Sequence, residues 1–180
     1  MLSVIILTVV SASRQKTLPE LALKPAILAS TSVGVPISIQ IPSIKVDAKI
    51  ERVAKTIAGA MDVPKLPANV GWYELGPRPG EVGSATIAGH FDNIYGLPAV
   101  FANLAKIKPG NEVNVTDDGG VVIVFVVREV KELNANADAT DVFSSTDGRS
   151  HLNLITCDGV WDKKASEYTS RLVVFADKKI

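Results

Sequence analysis

The sequence predicts a mainly β fold: a closed barrel of seven or eight strands, antiparallel or mixed, with one or two short helices. From residue 37 onwards, short runs rich in β-branched residues alternate with turn-forming residues, a pattern typical of all-β barrels. The 180 residues are 47% hydrophobic and 21% charged, which suits one folded domain with a well-developed core.

The first two strands are predicted at the start of this region. The run ISIQIPSIKV (37–46) is rich in β-branched residues, but Pro42 has no backbone N–H to donate and restricts this strand to an edge or a bulge. The run AKIERV (48–53) is expected to pair beside it. Residues 62–82 are rich in Pro and Gly, and GPRPGE (76–81) indicates a turn.

The middle of the chain contains a buried strand and the best candidate for a helix. SATIAGH (84–90) is predicted as a buried strand. PAVFANLAKI (98–107) is predicted as a short helix, because its proline suits the first helical turn. Val100, Phe101 and Leu104 would share one face of that helix.

Four further strands complete the predicted barrel. NEVNVTD (111–117) and VVIVFVVREV (121–130) flank the tripeptide DGG (118–120), which is a strong hairpin signal. LNLITC (152–157) and RLVVFA (171–176) are the last two apolar runs of strand length.

The N-terminal residues 1–13, MLSVIILTVVSAS, carry no charge, and their apolar part is shorter than the roughly 20 residues that span a bilayer. Three interpretations are open: a partial transmembrane anchor, the apolar region of a signal peptide, or a buried strand. We favour the anchor, because Arg14 and Lys16 follow it. Residues 14–36 are then expected to form a linker or stalk, and residues 37–180 the barrel domain.

Charge and cysteine content exclude several classes of function. The 19 Lys+Arg balance the 19 Asp+Glu, whereas a dedicated nucleic-acid-binding protein needs a basic surplus. Cys157 is the single cysteine, so neither an intramolecular disulfide nor a Cys-based zinc cluster can form. With only His90 and His151 available, a histidine-rich metal site is disfavoured. We therefore expect no nucleic-acid partner and no metal.

The last two predicted strands place a thiol beside a guanidinium. Cys157 ends one strand and Arg171 begins the next, with residues 158–170 between them. Consecutive strands commonly pair antiparallel, so the end of one lies beside the start of the other. His90 ends its own strand and reaches the same rim if that strand runs in the same direction as the one ending in Cys157. Long excursions such as 158–170 are often functional.

These three side chains have the components of a covalent acyl-transfer site. A cation beside a thiol raises the thiolate fraction, and an arginine stabilises the oxyanion that forms when a thiolate attacks a carbonyl. A histidine can protonate the leaving amine. The alternative is structural: a lone cysteine in an apolar strand is usually an inert core residue, and a histidine or arginine at a strand end usually contacts solvent. Spacing alone leaves both interpretations open.

The chain resembles the sortases, membrane-anchored cysteine transpeptidases of bacterial surfaces. The motifs that carry the resemblance, in the family's order, are TIAGHFD (86–92), LNLITCDG (152–159) and RLVVFA (171–176). The segment GWYELGPRPGEVGSATIAGH (71–90), followed by PAVFANLAKIKPGNEV (98–113), is most similar to class F sortases. The similarity extends from about residue 37 to residue 176.

The resemblance implies a closed β-barrel of the sortase type and a His–Cys–Arg site. By position, His90 would be the general acid and base, Cys157 the nucleophile, and Arg171 the cation that stabilises the oxyanion or positions the substrate. Thr156 matches a position that helps to hold the substrate backbone.

Activity, partners and location also follow from the resemblance. Family members cleave a C-terminal sorting signal of the LPxTG type between Thr and Gly and hold the product as a thioacyl-enzyme. They then transfer it to an amine of a cell-wall precursor or pilin lysine. The resemblance implies no cofactor and a position on the extracellular face of the cell membrane, anchored through the N-terminus. We expect a monomer.

Several residues and functions leave alternatives open. Asp158 stands where class F sequences commonly have glycine, and a carboxylate there would disfavour the thiolate if it pointed inward, although adjacent strand residues face opposite sides. Asp92 could orient the His90 imidazole, but a rim or turn role is favoured. His151 matches no catalytic position and is expected at the surface. The alternative functions are a cysteine peptidase that hydrolyses the same signal and a non-catalytic surface-binding barrel.

Overall fold

The computed structural model describes residues 32–164 and 167–180. The predicted anchor (1–13) and residues 14–31 of the predicted linker lie outside the described residues. Within the described ranges, none of the helices has the length and apolar character needed to cross a membrane.

Eight strands close into a barrel in the order β1-β2-β3-β4-β7-β8-β6-β5, and β5 pairs again with β1. The strands are β1 (Pro36–Ile41), β2 (Val46–Val53), β3 (Val70–Tyr73), β4 (Gly83–Gly89), β5 (Glu112–Asp117), β6 (Val122–Asn134), β7 (Ser150–Asp162) and β8 (Glu167–Lys178). Among the described residues, they are accompanied by one short helix, α1 (Thr140–Phe143), and by lone 3₁₀ turns at Pro42–Ile44 and Leu104–Lys106. The pairs β2–β3 and β4–β7 are parallel and the others antiparallel. The predicted closed barrel is therefore confirmed, in its mixed form.

The barrel core decides which residues of β7 and β8 face outward. Leu152 and Leu154 of β7 lie in the main apolar cluster, together with Leu172 and Val174 of β8. Because side chains alternate across a strand, the odd-numbered residues of these strands face the outer side of the barrel. Cys157 and Arg171 are both among them.

A second, smaller apolar cluster covers part of this outer side. Val142 of α1 packs with Val173 and Phe175 of β8. The carbonyl oxygen of Val142 accepts hydrogen bonds from Thr86 Oγ1 at 2.8 Å and from Asn153 Nδ2 at 2.7 Å. Since carbonyls at the end of a helix have no partner within the helix, these two side chains fix α1 against β4 and β7.

The segment 98–107 does not form the predicted helix, and this prediction was wrong. Its hydrogen bonds join residues three apart, as from Leu104 N to Phe101 O at 2.9 Å and from Ile107 N to Leu104 O at 3.1 Å. Phe101, Leu104 and Ile107 are all buried. That spacing of three matches the 3₁₀ geometry, which has three residues per turn, and not the 3.6 of an α-helix.

Strand boundaries also differ from the sequence-based prediction. Pro42 ends β1 and opens a 3₁₀ turn instead of interrupting one longer strand. β3 lies inside the Pro- and Gly-rich stretch 62–82, for which no strand was predicted. The hairpin through 118–120 is confirmed, because Thr116 pairs with Val122 across it.

Candidate active site

Cys157 and Arg171 are direct partners in the antiparallel pairing of β7 with β8. Both face the outer side of the barrel, so the thiol and the guanidinium are neighbours on one surface. The sequence predicted that one strand ends at Cys157 and the next begins at Arg171. In the structure both strands extend further, because β7 continues to Asp162 and β8 begins at Glu167. The expected 13-residue excursion is thus mostly a β-hairpin, with a register irregularity between Asp158 and Trp161.

The parallel pairing of β4 with β7 brings His90 to the same place. The last residue pair of this ladder is Ala88 with Ile155, and His90 and Cys157 each lie two residues further along. The two strands run in the same direction, which is the condition under which the sequence placed His90 at this rim. His90, Thr156, Cys157 and Arg171 line one cavity of about 130 Å³.

The His90 imidazole is held by a backbone carbonyl. Its Nε2 lies 2.8 Å from the carbonyl oxygen of Pro64, in the connection between β2 and β3. A carbonyl oxygen can only accept, so Nε2 carries a proton and Nδ1 is the nitrogen left to exchange protons with a reactant. Sequence reasoning missed Pro64, because a backbone carbonyl leaves no signature in residue type.

The Arg171 guanidinium is held by its own hairpin. Its Nη1 donates to the carbonyl oxygens of Tyr168 at 2.8 Å and Ser170 at 2.9 Å. Its Nη2 lies 3.4 Å from Glu167 Oε2. These contacts hold the guanidinium of the residue that is paired with Cys157.

Burial raises the pKa of the Cys157 thiol above its ordinary value, and this effect outweighs the lowering caused by the Arg171 guanidinium. The carboxylates of Asp92 and Glu167 raise this pKa further. The cation thus acts in the expected direction, but the net shift is opposite to the one that the sequence suggested. The thiol of the free protein is therefore mainly protonated at neutral pH.

Asp92 binds Tyr168 and occupies a rim position. The Tyr168 hydroxyl donates to Asp92 Oδ2 at 2.6 Å, and this hydrogen bond raises the pKa of Tyr168 to about 12. The favoured interpretation of Asp92 as a rim residue therefore agrees with the structure. Sequence reasoning did not single out Tyr168.

Thr156 closes the end of the β4–β7 ladder. Its side chain is 4% exposed, and its hydroxyl donates to the carbonyl oxygen of Gly89 at 2.8 Å. The residue thus lines the cavity and also fixes the backbone directly before His90.

Gly89 is required for close packing beneath His90. A Cβ atom at this position would lie 2.8 Å from Phe101 Cγ, and Phe101 is completely buried. We expect Gly89→Ala to lower the free energy of unfolding by about 1–3 kcal/mol through overpacking, measured by denaturant unfolding. Phe101→Leu removes the obstructing ring. The double variant should therefore lose less free energy of unfolding than the sum of the losses in the two single variants. A fully stable Gly89→Ala protein would contradict this contact.

His151 lies apart from the cavity and is not exposed, so the expectation of a surface histidine was wrong. It is 4% exposed. Its Nδ1 lies 2.8 Å from Asp177 Oδ1 and its Nε2 3.0 Å from Asp147 Oδ1. The hydrogen bond from His151 is the main cause that lowers the pKa of Asp147 below its ordinary value. Asp147 lies only four residues before His151, but Asp177 comes from β8, and this pairing of β7 with β8 is not visible in the local sequence.

Comparison with known proteins agrees with this fold. The sortase domain family model matches residues 39–179. Among solved structures, a lid mutant of sortase A from Corynebacterium diphtheriae gives a TM-score of 0.64 at 20% identity, covering 84% of this chain and 73% of that chain. Sortase C-1 from Actinomyces oris gives 0.63 at 23%, covering 81% and 75%. A sortase D5 transpeptidase from Clostridium perfringens gives 0.60 at 23%, covering 82% and 79%.

The comparison with curated proteins found no match. The structural similarities, at these identities, show the fold, while the family model covers most of the chain. With the closed mixed barrel described above, this match identifies the family: the chain belongs to the sortases, which are cysteine transpeptidases.

Proposed function

We propose that this protein is a transpeptidase that cleaves a C-terminal sorting signal of the LPxTG type and transfers the protein to a cell-envelope amine. The acceptor would be a cell-wall precursor or a pilin lysine. The observation that carries the proposal is that Cys157, His90 and Arg171 line the same cavity. Family membership supports the same reaction class.

In the first step, His90 Nδ1 takes the thiol proton and the Cys157 sulfur attacks the carbonyl carbon of the signal's threonine. A carbon–sulfur bond forms, and Arg171 stabilises the oxyanion of the tetrahedral intermediate. The carbon–nitrogen bond to glycine then breaks, and His90 gives its proton to the leaving amine. The product is a thioester on Cys157.

In the second step, an acceptor amine attacks the thioester carbonyl and loses a proton to His90. The carbon–sulfur bond breaks, a new amide bond forms, and the thiolate takes the proton back. The free enzyme is regenerated, so no cofactor enters the balance.

The apolar walls of the cavity suit an extended peptide with apolar side chains. Val63, Ala88, Phe143 and Ile155 contribute to these walls. In this proposal, Thr156 contributes to substrate binding through the wall that it forms and through its hydrogen bond to Gly89, since its hydroxyl proton is already donated.

Class, location and assembly are part of the same proposal. The class F assignment is supported by the resemblance of segments 71–90 and 98–113 to that class. An uncharged N-terminal run followed by basic residues supports anchoring to the cell membrane, with the barrel on its extracellular face. We propose a monomer.

Intact mass spectrometry of the full chain mixed with LPxTG-type peptides tests the function. We expect a covalent adduct on Cys157 with the mass of the peptide up to threonine. Addition of oligoglycine or hydroxylamine should convert the adduct into an amide or hydroxamate product. A product formed only with water would indicate a cysteine peptidase. Peptide binding without an adduct, with Cys157 resistant to alkylation, would indicate a non-catalytic barrel.

A further inference from the structure

Two side-chain hydrogen bonds span the gap between His90 and the β7–β8 hairpin. β4 and β7 are paired only as far as Ala88 and Ile155. Beyond this point, the Thr156 hydroxyl donates to the Gly89 carbonyl, one residue before His90, at 2.8 Å. The Tyr168 hydroxyl donates to Asp92, two residues after His90, at 2.6 Å. The segment that carries His90 is thus fixed at both ends.

Tyr168 also contacts the other components of the site. Its carbonyl oxygen accepts the hydrogen bond from Arg171 Nη1. Its ring makes edge contacts with Phe91, at a centroid distance of 5.9 Å, and with Trp161, at 5.2 Å. One residue therefore joins the segment after His90 to the strand that carries Arg171.

We propose that Tyr168 is a positioning residue, which through Asp92 sets the separation between His90 and the Cys157–Arg171 pair. The Tyr168 hydroxyl also holds the Asp92 carboxylate at the rim and reduces its repulsion of the thiolate. The kinetic part of this inference rests on the proposed function, whereas the thiol-reactivity part does not.

The charges around Cys157 determine the direction of the expected effect. The groups that face the cavity or contribute to its field are Arg171 and Glu167 of β8, His90 and Asp92 after β4, and Asp62 of the β2–β3 connection. Asp92 is one of the carboxylates that raise the pKa of Cys157. Loss of the Tyr168 donor leaves this carboxylate unbalanced, while loss of the carboxylate removes the repulsion.

The test is a double-mutant cycle with Tyr168→Phe and Asp92→Asn in the full chain. The rate of Cys157 alkylation by iodoacetamide, followed against pH, should shift its midpoint upward in Tyr168→Phe and downward in Asp92→Asn. In the double variant, the midpoint should equal that of Asp92→Asn, because the hydroxyl then has no carboxylate to bind. Tyr168→Phe should lower kcat for peptide transfer by about tenfold through misplacement of His90, with KM nearly unchanged. Asp92→Asn should lower kcat less, because its amide oxygen can still accept the hydrogen bond of the Tyr168 hydroxyl.

Tyr95→Phe is the matched control, since Tyr95 is 79% exposed, and it should change neither readout. The proposal is overturned if Tyr168→Phe lowers the melting temperature but leaves the alkylation midpoint and kcat as in the wild type. Independent, additive effects of the two substitutions would also overturn it. If the wild type forms no peptide adduct, the proposed function fails, and the alkylation cycle alone decides the role of Tyr168.

Discussion

Replacing Cys157 with alanine is expected to abolish cleavage of LPxTG-type peptides and formation of the peptide adduct. Cys157 is the single cysteine of the chain, so no other thiol can form the thioester. The loss should be complete within detection, because the histidine and the arginine of the cavity cannot form this intermediate. Cleavage measured by chromatography and adduct formation measured by intact mass spectrometry check this result.

Cys157→Ser is the matched control for this change. The hydroxyl has nearly the same size and keeps the cavity shape, but an alcohol is a much weaker nucleophile than a thiol at neutral pH. Both variants should fold like the wild type, as judged by circular dichroism, and bind the peptide. Peptide cleavage that persists in Cys157→Ala would exclude Cys157 as the nucleophile.

Arg171→Lys is expected to reduce kcat for peptide transfer by a factor of about 10² or more. The guanidinium donates at once to the carbonyl oxygens of Tyr168 and Ser170. A lysine keeps the charge, but its single nitrogen cannot reproduce the planar set of donors. Steady-state kinetics of transfer to a soluble amine measures the effect.

Comparison with Arg171→Gln separates the charge of Arg171 from its geometry. The guanidinium is the group that lowers the pKa of Cys157, so its removal in Arg171→Gln should move the alkylation midpoint of the thiol to higher pH. Arg171→Lys keeps the positive charge and should keep the midpoint near that of the wild type. Arg149→Lys, at an exposed position, is the control. Wild-type turnover of Arg171→Lys would show that the planar geometry is not needed.

The elevated pKa of Cys157 determines the protonation state of the thiol in the free enzyme. Since burial raises this pKa above its ordinary value, most of the thiol is protonated at neutral pH, and the reactive thiolate is a minority form. The rate of alkylation should therefore keep rising as the pH increases beyond neutrality.

The strands and the pairing of Cys157 with Arg171 could be predicted from sequence, because both depend on local patterns. β-branched runs and the turn at 118–120 specify strands and a hairpin. Consecutive strands usually pair antiparallel. Pairing of the predicted strands 152–157 and 171–176 in this way brings residues 157 and 171 together.

The segment 98–107 and His151 show where local patterns fail. Phe101, Leu104 and Ile107 are buried at a spacing of three, but apolar residues at such spacings suit an α-helix as well as 3₁₀ turns over so short a run. His151 is buried and lies within hydrogen-bond distance of two carboxylates. One of these, Asp177, is 26 residues away in the chain. Neither outcome can be derived from neighbouring residues.

By itself, the sequence determined a mainly β barrel, because strand propensity and turns are properties of short segments. Its three motifs named the side chains of the candidate site through their resemblance to the sortases. Only the tertiary structure decided what surrounds these side chains. The Pro64 carbonyl that binds His90, the Tyr168–Asp92 hydrogen bond and the burial that raises the pKa of Cys157 all depend on contacts between separate segments. Such contacts form when the barrel closes, and they set the proton positions and charges on which reactivity depends.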